Sequence, residues 1–214
     1  MSAVPLDFKR KKCDDNIIME VQQISDIEQI KEIYQTRMQE DFPANELFPF
    51  SAMRRLWTEG KYQGYGLFED NSLFGYALFF IMRSGDQNDY LLDYLAIAKE
   101  HRDKGLGSFF LQELLKLLND ASCIIIEAED PDKAENNKDR VIREKRIEFY
   151  LKNGCTQTAV ISNVDGADYR LLELRTDHPH SSEMIKVIYT RIYEHMAPEW
   201  YIKKHFNVQI PQYS

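Results

Sequence analysis

Residues 94–108 read YLAIAKEHRDKGLGS, and this stretch is the most informative part of the chain. An apolar strand pattern passes through a short polar turn and reaches two glycines before an apolar, helix-forming run. Because glycine has no Cβ, Gly105 and Gly107 allow a ligand to approach the bare backbone. The following helix, predicted over residues 108–118, begins with unpaired N–H groups and the positive end of its dipole. Strand, glycine-rich turn and helix N-terminus together predict a site for a phosphate or pyrophosphate.

Two common phosphate-binding motifs do not fit this turn. A dinucleotide-binding fingerprint needs a third glycine, and Phe110 stands at that position. A P-loop needs a lysine followed by Ser or Thr after its last glycine, whereas residues 107–109 read GSF. The sequence therefore favours neither a Rossmann-type dinucleotide nor a nucleoside triphosphate in a P-loop.

The turn resembles the acyl-CoA signature R-x-x-G-x-G of the GNAT N-acetyltransferase superfamily, with Arg102, Gly105 and Gly107 at its fixed positions. The resemblance implies that acetyl-CoA is the acyl donor and that backbone amides of the turn cradle its pyrophosphate. The turn residues predicted to bind CoA are Arg102, Asp103, Lys104, Gly105, Leu106, Gly107 and Ser108.

The preceding strand has its own role in this resemblance. The resemblance implies that Leu95, Ala96 and Ile97 align the acetyl thioester. It also implies that the amide of Ile97 or a neighbour binds the thioester oxygen. Many family members carry glycine directly after the arginine and proline before the turn. This chain has Asp103 and Lys99 at those positions, and neither position supplies an essential amide.

A second segment, residues 146–155, resembles the family's helix with a tyrosine four residues before a glycine that opens the next strand. The resemblance implies that Tyr150 lies beside the CoA sulfur and protonates the leaving thiolate, which contributes roughly 10²–10⁴-fold. The alternative is a core tyrosine whose hydroxyl is satisfied elsewhere. Members often carry asparagine two turns earlier, where this chain has Arg143. Arg143 is a candidate ligand of a CoA phosphate, with a solvated arginine as the alternative.

Attack on a thioester needs a neutral amine, so a base must accept its proton. Glu127 ends a short apolar strand, near the point where two strands should separate to admit the cofactor, and Asp93 lies on the acyl-CoA strand. Burial there would raise a carboxyl pKa toward a useful value. Glu127 is the first candidate and Asp93 the second. A structural ion pair between Glu127 and a basic residue stays open.

The predicted elements follow the order strand, two helices, three strands, helix, strand, helix and two strands. This order resembles the GNAT-like acyl-CoA N-acyltransferase fold, an α/β fold with a mixed, mostly antiparallel central sheet flanked by helices. We expect a flexible N-terminal arm over residues 1–16, an acetyltransferase domain over 17–174 and a C-terminal helical extension over 175–214. An amphipathic helix predicted over 182–196 docks either on the domain or on a second subunit of a homodimer.

Local signals give the bounds of several elements. Alternation predicts a first strand over residues 17–24. Residues 25–28, SDIE, predict a capping box with Ser25 as N-cap, and an apolar stripe predicts a second helix over 46–59. The pairs at 70–71 and 165–166 predict hairpin turns. The pair Asn153-Gly154 predicts the end of a helix over 141–152.

The composition restricts the function. The 214 residues are 43% hydrophobic and carry a formal net charge of −8, which argues against a nucleic-acid binder and is compatible with a cationic small-molecule or peptide amine acceptor. No apolar run reaches the ~18 residues of a membrane span, and residues 1–16 contain no signal-peptide pattern. Three cysteines without metal spacing predict reduced thiols in a cytoplasmic protein. No metal site is predicted, including at the pair His178 and His180.

These features predict an acyltransferase that moves an acetyl group from acetyl-CoA to a primary amine by direct attack in a ternary complex, without a metal ion. Two other classes stay open. One is a non-catalytic acyl-CoA-binding regulatory module, in which Tyr150→Phe would change nothing. The other is an interaction protein on the same fold whose working surface is the C-terminal helix.

Overall fold

The structure is a computed structural model that describes residues 11–13, 17–174 and 179–211. Its strands are β1 (Lys11–Cys13), β2 (Ile17–Ile24), β3 (Tyr62–Glu69), β4 (Ser72–Ser84), β5 (Gln87–Ile97), β6 (Ala121–Glu129), β7 (Cys155–Val164), β8 (Ala167–Leu174) and β9 (Phe206–Gln209). They form one sheet in the order β1-β2-β3-β4-β5-β6-β8-β7-β9. Within this described sheet β5 and β6 are parallel and the other neighbours are antiparallel.

Helices cover both faces of the sheet. They are α1 (Ile27–Ile33), α2 (Gln39–Asp41), α3 (Phe50–Thr58), α4 (Leu106–Leu117), α5 (Asn137–Lys152), α6 (Ser182–Met196) and α7 (Glu199–His205). A π-helical turn, Tyr34–Met38, joins α1 to α2. The predicted α/β fold, with its mixed, mostly antiparallel sheet between helices, is confirmed.

Each face of the sheet has its own hydrophobic core because side chains alternate along a strand. On β6, Cys123 and Ile125 belong to the first core, together with buried residues of α1, α3 and α6. Ile124 and Ile126 belong to the second core, together with residues of α4 and α5. A strand that is buried on both faces needs an unbroken apolar run, which explains residues 123–126.

A β-bulge bends β5 at Asp93. The register with β4 skips this residue, so that Leu92 and Tyr94 face successive residues of β4. Bulges bend a strand and increase its twist. The parallel pairing of β5 with β6 ends at Leu92 and Ile126, and no further pair joins the two strands. The bulge and the end of pairing together open a cleft between β5 and β6.

Four predicted helix starts were wrong. Helix α4 begins at Leu106 rather than at residue 108, and helix α5 begins at Asn137 rather than at residue 141. The other two differences have local causes. The N-cap of α1 is Asp26 rather than Ser25, since its carboxylate accepts the Glu28 amide at 2.9 Å. The helix predicted over 46–59 is divided into a 3₁₀ turn, Ala44–Glu46, and α3. Pro49 causes the division because a proline disfavours helical dihedrals in the residue before it.

The turn predictions were confirmed. Asp70 and Asn71 have φ of 44° and 72°, and Asp165 and Gly166 have φ of 51° and 88°. Two consecutive positive φ values are what a type I′ hairpin turn needs. Asn153 is the C-cap of α5.

The C-terminal segment packs on its own domain. Helix α6 has the predicted bounds, and it buries Ile185, Ile188, Ile192 and Met196 against the first core. After α7 the chain adds β9, which pairs with β7, so the extension predicted as helical also contributes an edge strand. At the other edge β1 pairs with β2, so the predicted N-terminal arm contains a short strand. The remaining arm residues and His178 lie outside the described residues.

No helix among the described residues is long and apolar enough to cross a membrane.

Candidate active site

The cleft between β5 and β6 opens into two adjoining cavities. The narrow cavity has a volume of about 300 Å³ and is bordered by β5, α2 and α5, with Arg102 and Tyr150 among its lining residues. The wide cavity has a volume of about 900 Å³ and reaches from the segment before α3 to α6 and α7. The residues that line both cavities, which we call the junction, are Glu46, Asp93, Tyr94, Glu127, Glu129 and Tyr169.

The glycine turn leads from β5 into α4. Helix α4 begins at Leu106, earlier than predicted, with Gly105 as its N-cap at a φ of 76°. The first α4 amide with a carbonyl partner is that of Phe109, which donates to Gly105 at 3.1 Å. For the amides of residues 103–108 the described part of the chain supplies no acceptor. Six consecutive free amides at a helix N-terminus are suited to an anionic ligand.

Asp103 keeps the backbone path that glycine provides in many members of the family that the turn resembles. Its φ is 62°, in the left-handed region, which aspartate tolerates better than most residues. The two glycines of the turn have different roles. A Cβ on Gly105 would meet nothing within 4 Å, so glycine is favoured there by the positive φ and not by a lack of space. A Cβ on Gly107 would lie 3.3 Å from the Phe149 ring, so Gly107 allows α4 to pack closely on α5.

Arg102 connects the turn to its surroundings. Its Nε donates to the Ile97 carbonyl at 2.8 Å, and its Nη2 donates to Asp41 Oδ1 at 2.7 Å. The side chain is therefore occupied by protein groups, whereas the amides of residues 103–108 have no acceptor in the described part of the chain.

The end of β5 presents backbone groups to the cleft. The Ala98 amide donates to the Phe74 carbonyl on the β4 side at 2.8 Å. Because amide directions alternate along a strand, the amides of Leu95 and Ile97 point to the opposite edge, toward the cleft. This is the direction that the predicted contact of Ile97 with a thioester oxygen requires.

Tyr150 lies on the inward face of α5 and lines the narrow cavity. Burial raises its pKa to about 12, so that its hydroxyl keeps its proton at neutral pH. Among the residues that the structure describes, none forms a hydrogen bond with this hydroxyl. The alternative of a core tyrosine with a satisfied hydroxyl therefore finds no support in the described contacts.

The two candidate bases lie at the junction, and tyrosine hydroxyls bind both. Tyr62 donates to Asp93 at 2.5 Å. Tyr189 and Tyr193 both donate to Oε1 of Glu127, Tyr193 at 2.7 Å. Burial raises the pKa of both carboxyls, and the charge of Glu127 raises that of Asp93 further. Neither carboxyl has a basic partner among the described residues, so the ion pair considered for Glu127 is not found.

Arg143 does not reach the glycine turn. Its guanidinium binds Glu129 at 3.2 Å and Asp139 at 3.0 Å, and it lines the wide cavity rather than the narrow one. Arg146, one turn later on α5, lines the narrow cavity and also binds Glu129. Arg146 was not among the residues predicted from the sequence, although its position one turn before Tyr150 places both on neighbouring turns of one helix.

The tyrosines that bind the carboxyls were also missed. Tyr189 and Tyr193 are four residues apart, which does predict that they share a face of α6. Nothing in the local sequence indicates that this face meets Glu127, because the two segments are more than 60 residues apart.

The family comparison agrees with this geometry. The model of the Acetyltransferase (GNAT) family matches residues 27–154. The chain belongs to the GNAT acetyltransferase family. This confirms the family and the acyltransferase class that the sequence predicted. The GNAT match ends before β7, so α6, with its two tyrosines, lies outside it.

Solved GNAT structures share the fold. A GNAT-family protein from Bacteroides thetaiotaomicron is 19% identical, covers 81% of this chain and 95% of its own length, and has a TM-score of 0.61. An aminoglycoside 6′-N-acetyltransferase in complex with coenzyme A is 16% identical, with coverages of 75% and 98% and a TM-score of 0.52. An Arabidopsis thaliana protein bound to the bisubstrate analogue CoA-Ac-MVNAL is 14% identical, with coverages of 74% and 99% and a TM-score of 0.50. No curated protein sequence matches the chain.

A separate polar cluster lies toward the other end of β6. Cys123, Glu173 and His180 bring a thiol, a carboxylate and an imidazole within 4.8 Å of one another, which are ligand types that a metal ion accepts. Here His180 binds Glu173 through its ring at 2.6 Å and through its amide at 2.9 Å. The cluster lines neither cavity.

Proposed function

We propose that this chain transfers an acetyl group from acetyl-CoA to a primary amine by direct attack in a ternary complex. One observation carries the proposal. Asp93 and Glu127 lie at the junction of two cavities, of which the narrow one runs along the end of β5 to Arg102 at the glycine turn. Donor and acceptor can therefore enter from different sides and meet beside a carboxyl group.

The turn and the end of β5 fit the donor. Acetyl-CoA supplies an activated acetyl thioester and a pyrophosphate. The six free amides of residues 103–108 suit the pyrophosphate, and the cleft-facing amides of Leu95 and Ile97 suit the thioester oxygen as an oxyanion-type contact. Two of the similar structures, one with coenzyme A and one with a CoA-containing analogue, support this choice of donor.

Glu127 is the proposed base, with Asp93 as the second candidate. Burial raises the pKa of Glu127 and so makes its carboxylate a stronger base. An incoming ammonium loses a proton to this carboxylate and then attacks as the neutral amine. Tyr150, whose free hydroxyl lies in the narrow cavity, protonates the departing thiolate, and the second proton that the nitrogen loses as the amide forms returns to the tyrosine oxygen.

The wide cavity favours a cationic acceptor. Its charged lining comprises eight carboxyl side chains and three basic ones: Glu46, Asp93, Glu127, Glu129, Glu135, Asp139, Asp165 and Asp168, against Arg55, Lys133 and Arg143. A cavity with this excess of negative charge concentrates positively charged amines. Its volume is within the range of small-molecule sites. The aminoglycoside and peptide acceptors named for similar structures are both amines of this kind.

The test is a screen of amine acceptors with detection of released CoA thiol. We expect turnover of acetyl-CoA with at least one cationic amine and loss of that turnover in Glu127→Gln. Calorimetry with CoA is run in parallel. Binding of CoA without thiol release from any acceptor would favour the non-catalytic module, and absence of CoA binding at millimolar concentration would rule out the proposed function.

A further inference from the structure

Two tyrosine hydroxyls converge on one oxygen of Glu127. Tyr189 and Tyr193 both donate to Oε1, while Oε2 has no donor among the described residues. Because both hydroxyls bind Oε1, the lone pairs of Oε2 remain free. The carboxyl is therefore held by one atom, and its other oxygen keeps free lone pairs on a residue that lines both cavities.

The tyrosines are themselves firmly held. Tyr189 is fully buried and Tyr193 is 8% exposed. Their rings pack on each other with centroids 5.0 Å apart, and both pack on Phe206 of β9. The buried Ser162 on β7 lies 3.0 Å from the Tyr189 hydroxyl and fixes its direction. Helix α6, β7 and β9 thus support one hydroxyl pair.

All of these supporting groups lie beyond residue 154, where the family match ends. We propose that Tyr189 and Tyr193 are positioning residues, through which the C-terminal segment orients Glu127 for proton transfer. This inference rests on the proposed function, because it takes Glu127 as the base. It gives α6 a role in the reaction, in addition to its packing on the first core.

The hydroxyl pair also adjusts the basicity of Glu127. Burial raises the pKa of this carboxyl, and the two hydrogen bonds to its charged form oppose the rise. Removal of either hydroxyl therefore raises the pKa further. Because the base acts only when deprotonated, the acid limb of the pH profile of kcat/KM moves to higher pH.

The experiment compares Tyr189→Phe and Tyr193→Phe with the wild type, since phenylalanine keeps the ring packing. We expect the acid limb to move upward by roughly one unit in each variant, as a hydrogen bond to a charged group is worth about one to two pKa units. At a pH on the acid limb of the wild-type profile kcat/KM falls by about tenfold, and the KM for acetyl-CoA stays unchanged.

Two further variants separate positioning from general effects. Tyr65→Phe removes a hydroxyl from another buried tyrosine, which binds Gln63 and lines neither cavity, and it should leave the profile in place. Tyr62→Phe removes the donor to Asp93. A profile that moves in Tyr62→Phe but not in the two α6 variants would identify Asp93 as the base and overturn the proposal.

A readout independent of activity separates this proposal from the proposed function. Carboxyl ¹³C titration, with the Glu127 resonance assigned by Glu127→Gln, reports the pKa of Glu127 directly. We expect a higher value in both α6 variants. An unchanged pKa overturns the positioning role even if the wild type is active, whereas a raised pKa in a protein without turnover overturns only the proposed function.

Discussion

Asp93 and Glu127 occupy equivalent positions on the two parallel strands, each directly after the last residue pair that joins β5 to β6. The bulge at Asp93 and the end of the ladder therefore place two carboxyls at one opening of the sheet. Their proximity has an electrostatic result, since the negative charge of Glu127 contributes to the raised pKa of Asp93. The same opening joins the two cavities.

Replacement of the two carboxyls should have unequal effects on turnover. We expect Glu127→Gln to lower kcat/KM by about 10²–10³-fold, within the range of general base catalysis, and Asp93→Asn by about tenfold. Affinity for CoA should be unchanged in both, because the contacts proposed for CoA are backbone amides of residues 95, 97 and 103–108. Steady-state kinetics and calorimetry measure the two quantities. A larger loss of kcat/KM in Asp93→Asn than in Glu127→Gln would identify Asp93, and not Glu127, as the base.

The carboxyl pair should make the protein less stable as the pH rises. Burial raises both folded-state pKa values above the ordinary value near 4, so the folded protein binds these protons more tightly than the unfolded chain. Their full contribution to stability is present below the unfolded-state pKa and is lost as the pH rises through the folded-state values. The double variant Asp93→Asn, Glu127→Gln should therefore gain more unfolding free energy at pH 8 than at pH 4.5, as measured with urea. Equal gains at both pH values would contradict this prediction.

Gly105→Glu should prevent CoA binding without unfolding the protein. A side chain here meets no protein atom within 4 Å, but it places a negative charge in front of the free amides. We expect at least a 100-fold loss of CoA affinity by calorimetry. Gly85→Glu is the matched control, since Gly85 also has a positive φ, of 67°, and open space around it. Both variants bear a backbone cost of about 1 kcal/mol or somewhat more, and only the first should lose CoA. Equal affinities would refute the assignment of the turn.

Tyr150→Phe should lower kcat by about 10²-fold while the Kd for CoA is retained. The ring stays in the second core, and only the proton donor for the thiolate is lost. Tyr65→Phe is again a suitable control because burial raises the pKa of Tyr65 to about 12 as well. Single-turnover kinetics with thiol detection isolates the chemical step. An unchanged kcat in Tyr150→Phe would show that Tyr150 only packs in the core and does not protonate the thiolate.

Local sequence signals predicted much of the fold. The bounds of β2 and α6 follow from periodicity over 8 and 15 residues, and both hairpin turns follow from residues that tolerate positive φ. The errors arose where neighbouring signals compete. At the start of α1 both Ser25 and Asp26 are good caps, and before α3 the effect of Pro49 outweighs the apolar stripe.

In the candidate site, too, some residues could be predicted from the sequence and others could not. The glycine turn, Tyr150, Asp93 and Glu127 could be proposed from the sequence because each belongs to a short motif or lies on a recognisable strand. The partners of these groups were missed. Tyr62 reaches Asp93 from 31 residues away, and the α6 tyrosines reach Glu127 from 62 and 66 residues away. Arg143 was a candidate ligand of a CoA phosphate because of its helix position, with a solvated arginine as the alternative. Its direction around α5 brings it to Glu129 and Asp139.

Local sequence patterns predicted most of the elements, the glycine turn and the family, because these depend on short-range periodicity, on backbone freedom at particular residues and on motif spacing. The tertiary structure alone decided which groups surround the two carboxyls, and hence their pKa values. Hydrogen bonding and burial depend on side chains from distant segments, and no local pattern records that α6 closes over Glu127.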